Sequence, residues 1–299
     1  MRDLAPRALV GLLWALQHLP LSVQARIGRA FGAVLHAFGR KRRAIARRNL
    51  ELCFPRWSQA QREAVLREHF ALLGRSLLER GLLWYAPPER LRRLIHVEGD
   101  VGLAERGERP VMWLVPHFLG LEVAGAAVQL FQTRTTIDIY QPQRNAYFDR
   151  VLKQGRLRFG RAEAHPRGMP IRLLVKRIRE GCPFFNMPDQ DYGVKDSAFV
   201  PFFGVRAATL TAPSKMARLI GMAVQPVVVD ILPGGQGYRV RFLPTWQDWP
   251  TDDPVADAAR MNAFIEQQIL LDPAQYLWVH KRFKSRPEGE PPLYKSHYR

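Results

Sequence analysis

The chain is short of cysteine, short of acid and without a long uninterrupted apolar run. Each shortage excludes something. Cys53 and Cys182 are its only cysteines. Two thiols make no disulfide framework, and neither sits in a CxxC or Cys/His cluster of the kind that holds zinc. A reducing, cytoplasmic setting is therefore expected. Asp and Glu number 27 against 45 Lys and Arg, a formal net charge of +18. A surplus of that size implies anionic partners, whether nucleic acid, an anionic membrane surface or an acidic protein. The strictly apolar stretch near the N-terminus, Ala8 to Leu16, is nine residues long. At about 1.5 Å per residue it falls short of a hydrocarbon core about 30 Å thick. Gln17, His18 and Pro20 interrupt it, and a second stretch from Ile27 to Phe38 contains Arg29 and His36. Neither stretch reads as a clear transmembrane helix, and the sequence leaves a spanning and a monotopic N-terminus both open. No small-residue cleavage site precedes a polar mature start, so no signal peptide is expected.

What is present is an ordinary globular composition, 47% hydrophobic and 24% charged over 299 residues. That length suits one large core with an appendage. Residues 40–48 hold six basic side chains and no acid. Apolar segments beside such a cluster describe a helical region lying on an anionic leaflet. The competing reading is an amphipathic first helix packed on the core with a solvated basic face. Residues 1–48 are taken as this membrane-associating helical region and 49–299 as the catalytic domain.

Spacing predicts the elements. Ser58 with Gln61 reads as a capping box, and Leu66, Phe70, Leu73 and Leu77 recur at helical spacing, so a helix is expected over 59–84. Val111–Val115 between two prolines reads as a buried strand, followed by a helix over Glu122–Leu130 and a strand over Thr135–Tyr140. A helix over Pro170–Glu180 ends at Gly181, and Cys182–Met187 reads as strand. Ala212–Ile220 reads as helix, and Val224–Ile231 and Tyr238–Leu243 as strands around a Pro-Gly-Gly turn. A final helix starts at Asp253-Pro254. This alternation predicts an α/β fold, a central mixed sheet flanked by helices.

Pro116-His117-Phe118-Leu119-Gly120-Leu121-Glu122 is the strongest local signal, because loops at strand ends are where catalytic groups sit. Five residues apart, His117 and Glu122 cannot share a face of one helix. If His117 precedes the helix and Glu122 lies in its first turns, the carboxylate accepts from one imidazole nitrogen and the other nitrogen is a base. A structural histidine beside a surface glutamate is the alternative.

Three more segments join it: Gly155-Arg156-Leu157-Arg158-Phe159-Gly160, Met187-Pro188-Asp189-Gln190-Asp191-Tyr192-Gly193, and Phe199-Val200-Pro201-Phe202-Phe203-Gly204-Val205 followed by Ala208-Thr209. In this order, from Asn49-Leu50-Glu51-Leu52-Cys53-Phe54-Pro55 to Tyr276-Leu277-Trp278-Val279-His280-Lys281-Arg282-Phe283-Lys284, the chain resembles the lipid A secondary acyltransferases of the lysophospholipid acyltransferase superfamily. The resemblance implies a glycerolipid-acyltransferase-like fold. It implies transfer of an acyl chain from acyl carrier protein to a hydroxyl of a phosphorylated glycolipid acceptor, at the cytoplasmic face of a bacterial inner membrane. The family's histidine base falls on His117, its acidic partner on Glu122, and an arginine thought to contact acidic substrate groups on Arg156. After the histidine this chain reads Phe-Leu-Gly-Leu-Glu where the family usually has Phe-Gly-Asn-Trp-Glu.

The physical demands agree with such a role. A hydroxyl is a poor nucleophile, so one base must take its proton, and donors must meet the developing oxyanion. No tightly bound cofactor and no metal is expected, acyl carrier protein being a co-substrate. Arg156 suits a phosphate through its fork, or it is one more solvated cation among Arg150, Lys153, Arg158 and Arg161. Asp189, Gln190 and Asp191 are expected in a turn near the acceptor, orienting Arg156 or receiving sugar hydroxyls. Phe202, Phe203 and Gly204 are expected in the core or as the wall of a lipid groove, and His280 is read as structural. Two alternatives stand beside this reading. One keeps the chemistry with another acceptor, a lysophospholipid or an amino-acid lipid. The other is a basic nucleic-acid-binding protein, for which no recognition motif is found.

Overall fold

A computed structural model describes residues 3–295. Helices come first: α1 (Leu4–Leu16), α2 (Leu21–Phe38), α3 (Arg40–Cys53), α4 (Gln59–Leu78), α5 (Arg80–Tyr85) and α6 (Pro88–Leu94). Strands and helices then alternate: β1 (Ile95–Gly99), β2 (Val111–Leu114), α7 (Leu121–Leu130), β3 (Thr136–Tyr140), α8 (Ala146–Leu157), β4 (Ala162–Pro166), α9 (Ile171–Arg179) and β5 (Phe184–Asn186). The hairpin β6 (Ser197–Phe202) and β7 (Val205–Leu210) follows, then α10 (Ala212–Ile220), β8 (Ala223–Ile231), β9 (Tyr238–Phe242) and α11 (Pro254–Leu271).

The expected α/β architecture is present. Seven strands form one sheet in the order β1-β9-β8-β2-β5-β3-β4. Only β8 and β9 pair antiparallel, across the Pro-Gly-Gly turn, so the sheet is mixed. At its centre β2 lies between β8 and β5, parallel to both. All four β2 residues are buried, as a strand covered on both faces must be.

The helix expected over 59–84 divides at Glu79. The capping box of Ser58 and Gln61 starts α4, and α5 continues after the break. Strands β1 and β4, helix α8 and the β6–β7 hairpin had no counterpart in the sequence reading. The hairpin turns through Phe203 and Gly204 at φ +50° and +77°. Two left-handed residues make a type I′ turn, which usually announces itself as Asn-Gly or Asp-Gly. Phe202 is fully buried in the core. Neither Phe202, Phe203 nor Gly204 lines the cleft described below, so the lipid-wall expectation is replaced by a core and turn role.

The N-terminal helices share the core of the rest. Leu13 and Leu21 pack in one cluster with Trp113 of β2, and α3 runs unbroken through residue 48. The α2–α4 crossing is close because glycine faces glycine. A Cβ on Gly74 would stand 2.2 Å from the Gly28 carbonyl oxygen and 2.4 Å from the Gly32 nitrogen. Those neighbours are backbone and cannot swing aside. Gly74→Ala should therefore force the helices apart at a cost of about 1–3 kcal/mol. A urea-denaturation midpoint equal to wild type would contradict this packing.

Candidate active site

Strand register builds the site. Leu114 at the end of β2 pairs with Asn186 at the end of β5. Three residues beyond each paired position lie His117 and Asp189. Parallel neighbours therefore deliver the imidazole and the carboxylate to one spot at the carboxyl edge of the sheet, where α/β proteins open their crevices. The His117 backbone N–H donates to Asp189 Oδ2 at 3.0 Å, and the ring Nδ1 lies 2.7 Å from Asp189 Oδ1. Asp189 is completely buried. Burial alone would raise its pKa, but the His117 ring and these hydrogen bonds outweigh it and hold the carboxyl below its ordinary value. Ionised, it can only accept, so Nδ1 carries the proton and Nε2 of neutral His117 presents its lone pair. From the other side Tyr276 is buried against Asp189, and both burial and that carboxylate push the phenol far up. The Gln275–Leu277 segment runs beside the site: Leu119 N–H donates to Gln275 at 2.7 Å, and Leu277 N–H to the His117 carbonyl at 3.0 Å.

The carboxylate on the imidazole is thus Asp189 and not Glu122. Glu122 lies in the first turn of α7 and turns to α8 and α5. Arg156 donates to it through Nε at 3.0 Å and again through Nη2, and Arg80 Nη2 stands 3.7 Å away. Burial would raise the Glu122 pKa, yet the two guanidiniums bring it down to about 2. The Arg156 fork expected for substrate phosphate is committed to this carboxylate. Gly155 explains how the pair closes. A Cβ there would stand 2.4 Å from the Trp84 ring, so only glycine lets α8 approach α5 this closely. Gly120 does the same beneath the histidine loop, where a Cβ would be 2.5 Å from Val229 Cγ1 of β8.

The other expected residues separate. Asp191 is buried and accepts from the Ser285 N–H at 2.6 Å, the Ser285 hydroxyl at 2.8 Å and the Gly193 N–H at 3.0 Å, so it fixes the loop and does not touch Arg156. Gln190 lines the cleft. Both cysteines are free and buried, and burial raises both thiols. Asp138, on β3, escaped the sequence reading. Burial raises it to about 6 despite Arg156 nearby, and its Oδ1 has no partner among the described residues. No motif marks it, since only the fold sets it against Arg156.

His117 and the Glu122–Arg156 pair both line one cleft of about 700 Å³, with Arg80, Arg167, Gln190, Lys284 and His280 on its walls. Beside it a narrow apolar cavity runs inward from Glu122 and Arg156 between Leu83, Trp84, Val128, Phe159 and Phe185. Among the described residues no group of three or more His, Cys, Asp or Glu could hold a metal ion. A base, a cationic wall and a greasy recess suit transfer of an acyl chain to an alcohol.

Known proteins point the same way. The sequence pattern described as bacterial lipid A biosynthesis acyltransferase matches residues 5–285. The chain is 38% identical over 288 residues to the lipid A biosynthesis palmitoleoyltransferase of Escherichia coli (strain K12), covering 95% of this chain and 92% of that one. It is 36% identical over 291 residues to the lauroyltransferase of the same strain, covering 95% and 93%. With that strain's myristoyltransferase it shares 31% over 279 residues, covering 91% and 83%.

Glu122→Gln leaves two cations facing a neutral amide. Removing one partner of such a pair should cost about 3 kcal/mol. A folded pKa near 2 against an ordinary 4.5 means the contribution is present above 4.5 and fades as pH falls toward 2. The Tm gap to wild type should hold from about pH 5 to 8 and shrink below about pH 4. A gap independent of pH down to 2 would refute the ion pair.

Proposed function

The chain belongs to the bacterial lipid A biosynthesis acyltransferases, and from that premise we propose that His117 is the general base that transfers a fatty chain from acyl carrier protein to a hydroxyl of a phosphorylated lipid A precursor. The enzyme is an acyltransferase of lipopolysaccharide biosynthesis. One observation carries the mechanism: Asp189 fixes Nδ1 and leaves Nε2 facing the cleft. The acceptor hydroxyl gives its proton to Nε2 as its oxygen attacks the thioester carbonyl. The carbonyl electrons move onto oxygen, then return as the C–S bond breaks, and the imidazolium protonates the departing thiolate. Arg167 and Lys284 give the cleft the charge an anionic acceptor needs, with Arg156 and Arg80 facing Glu122. The adjoining recess, about 60 Å³, takes only a few methylenes of the fatty chain, each contributing about 0.8 kcal/mol when buried.

Deleting the gene in its host should remove one acyl-chain mass from lipid A. His117→Ala should fail to restore it, and full restoration would refute the base. Asp189→Asn keeps the shape but favours the wrong tautomer, so kcat should fall about 10⁴-fold, as in a hydrolase triad that loses its aspartate charge. Glu122→Gln leaves the Asp189–His117 pair in place, so its loss of kcat should be far smaller than that of Asp189→Asn. If Asp189→Asn is as active as wild type, the pairing has no part in the chemistry.

The reaction is placed at the cytoplasmic face of the inner membrane, with the N-terminal helices as its anchor. No helix among the described residues is long and apolar enough to cross a membrane. Instead Leu9, Leu12 and Trp14 on α1 and Ile27, Val34 and Phe38 on α2 are exposed. Ile27, Val34 and Phe38 fall on one helical stripe. The basic run beside them is less free than its sequence implies. Arg42 donates to the Val279 carbonyl, Arg43 to Ala37, Arg48 to Leu293, and Arg47 pairs with Glu63. Apolar insertion therefore carries more of the adhesion than charge does. The protein should co-sediment with anionic phospholipid vesicles and stay bound in about 0.5 M salt, where surface charges are screened within a few ångströms. Trp14→Asp with Phe38→Asp should release it. Complete release of wild type by salt would reverse the assignment.

A further inference from the structure

His280 enters the cleft from the turn after the Gln275–Leu277 segment, which is bonded to the histidine loop itself. It lines the same cleft as His117 and the adjoining one. The Asp191 backbone N–H donates to its Nε2 at 3.3 Å. A backbone amide can only donate, so Nε2 must hold a lone pair and the single proton of the neutral ring must sit on Nδ1. That Nδ1–H has no hydrogen-bond partner among the described residues and is not a sealed polar atom, so it is reachable from the space the ring lines. Two imidazoles thus stand at one cleft with opposite polarity: His117 offers a lone pair and His280 a proton.

Resting on the acyl-transfer reading above, we infer that His280 is a catalytic residue, its Nδ1–H donating to the acyl carbonyl oxygen as that oxygen becomes an oxyanion. No proton is transferred at this atom. His280 supplies a fixed dipole where negative charge develops and stays neutral throughout. Its neutrality is built in: burial first, then proximity to His117, lower its pKa to about 4. A neutral imidazole used as an electrophile in this way has a precedent in enzyme chemistry. The ring also closes a design requirement, because a base without an oxyanion donor assists only half of the addition step.

Two measurements on the full-length enzyme test this. First, ¹⁵N-histidine NMR of wild type, assigned by the His280→Gln spectrum, should show a neutral Nδ1–H tautomer at pH 7 that persists to about pH 5. An Nε2–H tautomer, or a charged ring at pH 7, overturns the inference whatever the activity. Second, His280→Ala should lower kcat for transfer from acyl carrier protein by about 10²–10³-fold, with KM for donor and acceptor within about threefold. Its pH profile should keep the shape of the wild type's, since His117 remains. His280→Asn puts an amide N–H near the vacated Nδ1 and should recover about tenfold or more. A ring that only braces the Asp191 loop would give the reverse pattern: lower Tm, raised KM and no preference for Asn over Ala, which overturns the assignment. Wild type transferring no acyl chain would instead sink the functional reading, and this inference with it.

Discussion

One buried carboxylate holds the site together. Asp189 spends one oxygen on the His117 backbone and the other on its ring, so loop and side chain are fixed by the same group. A fully buried charge is costly unless its lone pairs are filled, and here histidine fills them from two directions. That arrangement exists only because β2 and β5 are parallel neighbours in a register that sets residues 117 and 189 at equal distance past paired positions. The sheet order therefore fixes this pairing. A strand inserted between them would move the carboxylate by about 5 Å and leave both groups unpaired.

The second acid has a different task. Glu122 sits close enough to the cleft to be read as the imidazole's partner, but it binds two arginines. Glu122 offsets much of the Arg156 and Arg80 charge without touching the imidazole. The two carboxylates divide the labour: Asp189 sets geometry and tautomer, Glu122 sets the field. Asp138, raised to about 6, lies near the same arginine and adds negative charge there as pH rises above that value.

The sequence made half of this legible. A histidine between a buried strand and a helix was readable from Val111 to Leu130, because apolar runs, prolines and helical spacing are local signals. Asp189 was visible as a turn residue, but its partner was not, because partnership depended on strand order, which is non-local. Helix α8 was hidden by its mixture of basic and apolar residues, although Asn145 caps it through the Phe148 N–H. The β6–β7 hairpin was hidden because phenylalanine occupies a left-handed position usually held by asparagine or glycine. His280 reads as structural in the sequence because nothing in its neighbourhood shows which nitrogen is free; the Asp191 amide reveals it.

Charge was the most misleading signal when counted and the most informative when located. A net +18 invites a picture of free cations on a polybasic surface. Much of that surplus is instead used as internal clamps. Arg75 is buried with Glu79, and Arg282 donates to Ala208, Thr209 and Asn262 beneath the cleft. Arg90 reaches the Leu19 carbonyl and holds the end of α1 to α6. A guanidinium has five donors and suits carbonyls at helix ends and loop crossings, so an arginine-rich chain can spend its charge on architecture. At the cleft wall the same habit continues, with Lys284 beside the Asp191 carbonyl and Arg80 facing Glu122.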